Sequence, residues 1–372
     1  MIGIYIHIPF CTGKCRYCDF PSYSGVSSYY EAYVEAVCRE LLTYTGDTRA
    51  DTVYFGGGTP SVLPTALLEK LLHTVQQVFS LAPATEITAE ANPESLRREQ
   101  CEKWAALGIN RVSLGVQTFH DALLQSLGRL HTAAQAYEAL QAVAAAEITN
   151  ISLDLMYGLP GQTLQAFKED IQTLSRLPVT HVSIYRLTVE EHTPLWHSVQ
   201  AGKERVANAA EVEAMQQYLY GTMRQMGFEH YEISAYAKPG YRARHNCKYW
   251  RYEPYIGFGA AAHSFDGQTR RCNVRSLPQY IRSCTTSGRI QEETRIAAAR
   301  AMEDYCFLAL RMRDGIDYDD FFQRFQVSFG SQFGRTERRL YEQGLLQRTE
   351  KGCALTPLGL AYGNYVFSRF LR

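Results

Sequence analysis

Short β-rich segments alternate with amphipathic helical segments over the first 230 residues, and this alternation constrains the fold more than any other feature. Parallel strands need a crossover connection, which is usually a helix. The six strand–helix units fall short of the eight of a complete barrel, so the sequence predicts an α/β fold with a partial (β/α)6 barrel. The predicted strands are Ile2–Ile8, Thr52–Gly57, Glu86–Ala91, Arg111–Gln117, Asn150–Tyr157 and His181–Leu187. The predicted helices are Ser28–Tyr44, Pro64–Phe79, Ser95–Leu107, Ala133–Ala145, Thr163–Leu177 and Asn208–Met226.

The chain changes in character after a short predicted strand at Tyr231–Ser234. Residues 236–289 hold ten Lys and Arg against two acidic residues, with nine aromatic residues between them. Beyond them, we predict three helices and a hairpin, which is typical of a small winged-helix-like module. We therefore predict a barrel over 1–235, a basic aromatic connecting segment over 236–289 and a C-terminal helical module over 290–372. The module's predicted elements are Thr294–Met312, Tyr318–Phe325, Ser331–Glu342 and the hairpin Gly344–Pro357.

The charge balance argues against a protein that binds nucleic acid through its overall charge. The 372 residues carry 38 Lys and Arg and 38 Asp and Glu, so the formal net charge is zero. The opening MIGIYIHIPF has no basic region of the kind that begins a signal peptide, and no run of 18 apolar residues occurs. We expect a cytoplasmic protein without a transmembrane segment.

Three of the ten cysteines cluster as C-x3-C-x2-C directly after the first predicted strand, at Cys11, Cys15 and Cys18. Clustering favours a metal centre over disulfides. Three thiolates can hold three irons of an iron–sulfur cubane and leave the fourth iron open, because position 20 is Phe20. The alternatives are a zinc site, which usually has four ligands in two pairs, and three buried thiols.

The motif CTGKCRYC, with Tyr17 before the third cysteine, resembles that of the radical S-adenosylmethionine (SAM) superfamily. The resemblance implies a 4Fe-4S cluster on Cys11, Cys15 and Cys18, with SAM on the open iron. Arg129 offers a donor fork for a carboxylate, and Glu90 or Asp154 can accept from an ammonium or from ribose hydroxyls. Taken singly, each is an ordinary strand-end polar residue. The implied SAM-binding residues are Tyr5, Tyr17, Gly57, Gly58, Thr59, Glu90, Gln117, Arg129 and Asp154.

Longer stretches of the chain resemble one branch of that superfamily, which contains oxygen-independent coproporphyrinogen III oxidase and the HemW-type haem chaperones. These stretches are YIHIPFC at residues 5–11, GLPGQT at residues 158–163 and the C-terminal module. The oxidases would have a further cysteine at position 20 and an extension before the first strand, so both differences favour the chaperones. The motif HNCKYW at residues 245–250 matches the H-N-x-x-Y-W pattern of the chaperones.

This resemblance implies haem binding and delivery to acceptor haemoproteins, such as those of the respiratory chain. A neutral imidazole is a common axial ligand of haem iron, so we predict that His245 ligates haem. Arg242, Arg244, Lys248 and Arg251 are candidates to pair with the propionates. A homodimer is one candidate state of association. We assign no catalytic residue, because the same ligands serve SAM binding and SAM turnover.

Two other functions stay open at this point. One is the oxidative decarboxylation of coproporphyrinogen by a radical SAM oxidase. The other is a radical SAM enzyme that modifies RNA, because the basic aromatic segment could stack single-stranded bases. Against RNA stand the neutral total charge and the lack of a recognisable RNA-binding module, so we expect no nucleic-acid partner.

The cysteine motif makes the first testable prediction. Anaerobic reconstitution with iron and sulfide should give about four irons per chain, and Cys15→Ser should abolish them. Iron and acid-labile sulfide analysis measures both. Stoichiometric tetrahedral zinc in the purified protein would contradict the assignment.

Overall fold

The computed structural model describes residues 1–371, and its main element is a parallel sheet of six strands that confirms the predicted partial barrel. All six predicted strands are present, and two begin earlier than predicted, at Arg49 and Ser80. Neighbouring strands pair in parallel and in sequence order. The strands are β1 (Ile2–Ile8), β2 (Arg49–Gly57), β3 (Ser80–Ala91), β4 (Arg111–Gln117), β5 (Asn150–Tyr157) and β6 (His181–Arg186).

Helices connect these strands and cover one face of the sheet. Their apolar residues recur at helical spacing, as in the first helix, where Tyr33, Val34, Val37 and Leu41 are fully buried. Capping boxes at Thr132 and Asn208 begin the fifth and eighth helices. The helices are α1 (Tyr30–Leu42), α2 (Thr65–Val78), α3 (Arg98–Ala106), α4 (Asp121–Ser126), α5 (Ala133–Ala145), α6 (Leu164–Leu174), α7 (Pro194–Gln200) and α8 (Ala209–Gln225).

Alternation along the strands divides the barrel into an apolar outside and a polar inside. Outward residues such as Ile4, Val112 and Leu153 belong to the main hydrophobic core beneath the helices. Residues one position along, such as Tyr5 and Asp154, face the interior instead. The barrel interior can therefore bind a polar ligand.

The segment 236–289, predicted as a connection, contributes strands to the same sheet. Next to β6, β7 (Glu229–His230) and β8 (Ala235–Ala237) pair antiparallel, so the predicted strand at Tyr231–Ser234 is wrong and those residues connect two short strands. On the opposite edge, β9 pairs in parallel with β1 and is followed by an antiparallel extension. The elements are α9 (Arg244–Trp250), β9 (Tyr255–Phe258), β10 (His263–Phe265), β11 (Thr269–Asn273), α10 (Leu277–Ser283) and β12 (Ile290–Arg295).

The C-terminal module has its own hydrophobic core, formed by rings such as Phe321, Phe329 and Phe333. The predicted helices and hairpin are present, although the first helix begins at Ala298 because residues 290–295 form β12. The predicted end of the module, Arg372, lies outside the described residues. The elements are α11 (Ala298–Ala309), β13 (Ile316–Asp317), α12 (Tyr318–Phe325), α13 (Phe329–Glu342), β14 (Leu346–Arg348), β15 (Gly352–Leu355), α14 (Pro357–Ala361) and α15 (Gly363–Ser368). In the described part of the chain, no helix combines the length and apolar composition needed to cross a bilayer.

A buried carboxylate joins the barrel to the late strands. Glu40 of α1 accepts hydrogen bonds from the Gly259 backbone N–H and Asn273 Nδ2, both at 2.9 Å, and from Arg289 Nε at 3.0 Å. The Tyr280 hydroxyl donates to the same group. Burial raises the pKa of Glu40, and these four donors compensate the desolvation of its charge.

Removing this carboxylate should strongly destabilise the fold. Glu40→Ala removes the anionic partner of the partly buried Arg289 Nε and the acceptor of the Tyr280 hydroxyl and the Gly259 N–H, so we expect a loss of about 3–5 kcal/mol in the free energy of unfolding. Urea unfolding followed by circular dichroism measures this. Glu35→Ala is the matched control, because Glu35 is exposed on the same helix and forms a surface ion pair with Lys70, and it should change stability by less than about 0.5 kcal/mol. Equal losses in both variants would contradict this role of Glu40.

Candidate functional site

The predicted site residues gather at one edge of the sheet, where the six parallel strands end. Cys11, Cys15 and Cys18 lie on the loop after β1, and Gly57–Thr59 end β2 and begin the next turn. Glu90 is the penultimate residue of β3, Gln117 ends β4, and Asp154 lies on β5. Because carboxyl ends of parallel strands share one edge, the fold brings these distant residues together, as predicted.

The cysteine loop is held at its base and across the open side of the barrel. At the base, the Cys11 backbone N–H donates to Tyr23 O at 3.0 Å, and the Tyr23 N–H donates to Pro9 O at 2.7 Å. Across the barrel, Arg16 forms a bidentate ion pair with Glu204, with both N–O distances at 2.8 Å. Its Nη1 also donates to Ser126 O at 2.6 Å. The loop is thus fixed between the first strand and the opposite wall.

A chain of hydrogen bonds runs from the first cysteine to the second. Thr59 Oγ1 donates to Cys11 Sγ at 3.5 Å, and Asn92 Nδ2 donates to Thr59 Oγ1 at 3.0 Å. Arg129 Nη2 donates to Asn92 Oδ1 at 2.8 Å, and its Nη1 donates to Cys15 Sγ at 3.4 Å. Residues that follow β2 and β3, together with Arg129 from the loop after α4, therefore orient two of the three thiols.

The glycine turn after β2 touches the cysteine loop so closely that side chains are excluded. The Gly58 N–H donates to Ile8 O at 2.8 Å, and the Thr59 N–H donates to Phe10 O at 2.7 Å. A Cβ on Gly58 would lie 2.7 Å from Phe10 O, and one on Gly57 would lie 2.4 Å from the His7 ring. Gly57 also has φ of +113°, a conformation available mainly to glycine. These close contacts explain why glycine occupies positions 57 and 58, and the lack of side chains leaves the backbone of the turn accessible to a ligand beside the cysteine loop.

Two carboxyls and a guanidinium occupy the floor of the site inside the barrel. Glu90 accepts from the Tyr54 hydroxyl at 2.6 Å and from the Gly57 N–H at 3.0 Å. Burial, with the nearby charge of Asp154, raises the pKa of Glu90 to about 7. Burial likewise raises the pKa of Asp154 to about 6. Arg111 is buried close enough for its charge to attract both carboxyls.

Three further predicted residues take distinct places. Gln117 has φ of +72°, a strained conformation for a side-chain-bearing residue that costs about 1–3 kcal/mol and is typical of functional sites. Tyr17 packs against the apolar cluster of Leu127, Met156 and Leu159, and burial raises its pKa. Tyr5 lies lower in the barrel, and its hydroxyl is 3.0 Å from His7 Nδ1.

The residues present fit a 4Fe-4S cluster and SAM. All ten cysteines are free thiols. Within residues 1–371 no three His, Cys, Asp or Glu side chains converge on a single ion, whereas each thiolate of a cubane binds a different iron. Arg129 Nε and Arg111 Nε are buried without a hydrogen-bond partner, so donors remain for an anionic ligand group. Cys11, Cys15 and Cys18 would hold the cluster, and the strand-end residues would surround SAM.

His245 does not share this edge, and its environment speaks against the predicted haem ligation. The ring is 1% exposed, and its Nδ1 and Nε2 lie 2.8 Å from Thr52 Oγ1 and the Tyr249 hydroxyl. A Cβ on Gly3 would meet the His245 ring at 3.2 Å, so His245 lies at the amino end of β1, about 17 Å along that strand from Ile8. Burial lowers the pKa of His245 to about 3, which keeps it neutral. Both ring nitrogens are therefore already used inside the protein.

The helix that carries His245 supports the floor of the site from below. Glu86 accepts from the backbone N–H groups of Arg244 and His245 at 3.1 and 3.0 Å, which fixes the start of α9. The His245 ring stacks on Tyr54 with centroids 5.1 Å apart, and Tyr54 donates to Glu90. His245 is thus a positioning residue for the carboxyl floor in this structure.

Three of the four basic residues predicted to meet propionates are used in ion pairs, whereas Arg251 forms none within residues 1–371. Arg242 pairs with Glu229 and Asp314, at 2.5 and 2.9 Å. Lys248 pairs with Asp51 and Glu253 at 2.8 and 3.1 Å, and Arg244 lies 3.7 Å from Asp51. This neutralises much of the positive charge that the sequence shows in residues 236–289.

Comparisons with known proteins agree with this arrangement. The model of the radical SAM superfamily matches residues 5–174, and that of the HemN C-terminal domain matches residues 296–362. The chain is 35% identical over 367 residues to the haem chaperone HemW of Lactococcus lactis, covering 99% of this chain and 96% of that protein. The chain belongs to the HemW family. The HemW of Bacillus subtilis is also 35% identical, over 100% of this chain and 99% of its own length.

A solved structure with the same fold belongs to a different protein. Coproporphyrinogen III oxidase (HemN) from Escherichia coli superposes with a TM-score of 0.85 and 21% identity, over 99% of this chain and 89% of that chain. At this identity, the likeness shows the fold alone. For this member of the HemW family, the predicted radical SAM barrel and helical C-terminal module are confirmed, and membership implies a 4Fe-4S cluster and SAM.

Sequence reasoning missed several residues that complete the site. Asn92 joins Thr59 to Arg129, Tyr54 and Arg111 hold the carboxyl floor, and Arg16 fixes the loop. Asn92 was readable as a strand-end amide before Pro93. Tyr54 and Arg111 lie within strand patterns, where only the inward direction of alternate residues in the predicted barrel could have indicated them.

The buried floor predicts an unusual dependence of stability on pH. The folded pKa of Glu90, about 7, exceeds its ordinary value of 4.5, so the folded state retains the proton more strongly. The protonated Glu90 therefore adds to the free energy of unfolding below about pH 4.5, and this stabilisation of roughly 3 kcal/mol is lost as pH rises toward about 7. Urea midpoints measured across this range should fall less steeply in Glu90→Gln than in the unmodified chain. Glu138→Gln, at an exposed position of α5, is the control and should show the same dependence of the urea midpoint on pH as the unmodified chain. If Glu90→Gln shows that same dependence, the raised pKa of Glu90 is contradicted.

Proposed function

We propose that this protein is a haem chaperone, which binds haem and delivers it to acceptor haemoproteins. The observation that carries the proposal is the 35% identity over essentially the whole chain to proteins named as haem chaperones HemW. The sequence identity extends through the C-terminal module. This chain and its HemW relatives therefore share the module as well as the barrel.

The cofactor site is the second element of the proposal. Cys11, Cys15 and Cys18 hold a 4Fe-4S cluster, which with SAM supplies one-electron chemistry when bound. Arg129 donates to the SAM carboxylate from a position already fixed by Asn92. Glu90 and Asp154 accept from its amino group and ribose hydroxyls, and the backbone of Gly57 and Gly58 approaches its methionine part. The remaining SAM contacts come from Thr59, Gln117, Tyr17 and Tyr5.

The second position after the third cysteine separates the proposal from the oxidase. Phe20 is 61% exposed beside the cysteine loop, where the oxidase pattern would have another thiol. We accordingly propose haem as the bound porphyrin and cytoplasmic delivery to haemoproteins such as those of the respiratory chain. A homodimer stays a prediction.

A single anaerobic experiment tests the proposed function. The reconstituted protein is incubated with SAM and, in separate samples, with haem or coproporphyrinogen III under reducing conditions. We expect haem to stay bound through gel filtration and then to pass to an apo-haemoprotein, with coproporphyrinogen unchanged by chromatography and mass spectrometry. Decarboxylation of coproporphyrinogen would identify an oxidase, and a protein that retains no haem would overturn the chaperone proposal.

Cys15→Ser is the control that separates the two cofactors. It removes the cluster, so any haem bound by this variant is bound without help from the cluster.

A further inference from the structure

A groove of about 440 Å³ lies between the barrel and the C-terminal module, outside the cofactor site. We call it the module groove. One wall is formed by Arg186 at the end of β6 and Tyr220 of α8, and the other by Arg311 and by Tyr362 and Tyr365 near α15. Its volume is within the range of small-molecule sites, roughly 300–1,000 Å³.

Two arginines in the module groove have no ionic partner inside the protein. Among the ion pairs of residues 1–371, none involves Arg186 or Arg311. Arg186 is exposed at the rim of the groove, so it is free to meet a ligand that enters from solvent. Arg311 is partly buried, and its Nε has no hydrogen-bond partner. Glu232 is close enough to attract Arg311 but forms no ion pair with it, and it accepts from Ser234 instead. An unpaired guanidinium at this depth favours an anionic ligand.

Helix α9, which carries the HNCKYW motif, holds one of these arginines in place. The Arg311 guanidinium lies 4.2 Å from the ring centroid of Trp250, a cation–π contact. Trp250 is the last residue of the HNCKYW motif, whose His245 is buried at the other end of the same short helix. The motif therefore acts on the module groove through Trp250, although its histidine does not reach the groove.

Aromatic rings form much of the rest of the groove. Tyr157, Tyr220, Tyr236, Tyr362 and Tyr365 all line it. Behind them, the His230 ring stacks between Tyr220 and Tyr236, with centroid distances of 5.3 and 4.4 Å. Tyr362 is 58% exposed at the mouth of the groove, whereas Tyr157 and Tyr236 are buried at its base. Flat aromatic walls with separate cationic groups suit a flat conjugated ligand that carries two carboxylates.

We propose that haem binds in the module groove, with its propionates at Arg186 and Arg311 and its ring against the tyrosines. This inference rests on the proposed haem chaperone function and assigns the site within it. It places haem at the junction with the C-terminal module and away from His245 and the iron–sulfur loop. The tyrosine hydroxyls at the groove mouth belong to a side-chain type that can ligate haem iron.

The test uses the full, cluster-loaded chain and two probes, haem and metal-free protoporphyrin IX, titrated anaerobically by absorbance and tryptophan fluorescence. Protoporphyrin IX carries the same propionates but no iron, so it reports on the groove without any axial ligand. Arg186→Gln and Arg311→Gln should each weaken both probes by about tenfold, as expected for loss of one charge-assisted hydrogen bond. Arg311→Lys should recover part of the affinity for both.

Two controls keep the result specific. Arg338→Gln changes an exposed arginine of α13 in the same module and should leave both affinities unchanged. Iron content and SAM binding should be the same in all these variants, because neither arginine lies in the cofactor site. A circular dichroism melting curve for each variant confirms that the module remains folded.

The outcomes separate this inference from the proposed function. If the unmodified chain binds haem and neither arginine substitution weakens that binding, the module groove is not the haem site. The chaperone proposal would still stand. The same holds if His245→Ala abolishes haem binding while Arg186→Gln and Arg311→Gln do not. An unmodified chain that binds no haem would overturn both.

Discussion

The parallel pairing of β1 with β2 is the constraint on which the rest of the site depends. Its register sets Ile8 opposite Gly57, so the cysteine loop and the glycine turn leave the sheet side by side. Two backbone hydrogen bonds then extend the pairing beyond the strands, to Gly58 and Thr59. A shift of one residue would turn the alternate side chains of β1 to the opposite face and separate the thiols from Thr59.

The barrel interior links its two ends through aromatic and polar contacts instead of an open channel. At the amino end, α9 inserts His245 against Thr52, and at the carboxyl end Glu90 supports the glycine turn. Tyr54 connects them, since it stacks on His245 and donates to Glu90. The HNCKYW motif thus has two structural effects in this chain, on the floor of the cofactor site through His245 and on the C-terminal module through Trp250.

Much of the barrel and of the cofactor site could be predicted from the sequence, because both depend on local patterns. Strand periodicity located β1 to β6, and the rule for parallel sheets placed Cys11, Glu90, Gln117 and Asp154 at one edge. The late strands were not predicted, because β9 has four residues and is stabilised by pairing with β1, some 250 positions earlier. The burial of His245 could not be predicted either, since it follows from the close approach that Gly3 allows between distant segments.

The strand that carries the cysteine loop has neighbours from widely separated parts of the chain. One edge of β1 pairs with residues 50–57, whereas the other pairs with residues 255–258. On the ribosome, at about 5–20 residues per second, the second edge waits roughly 10–40 s for its partner. During that interval the nascent barrel has an unpaired backbone edge on the strand that leads into the cysteine loop, so this edge of β1 is exposed to unwanted strand pairing until residues 255–258 arrive.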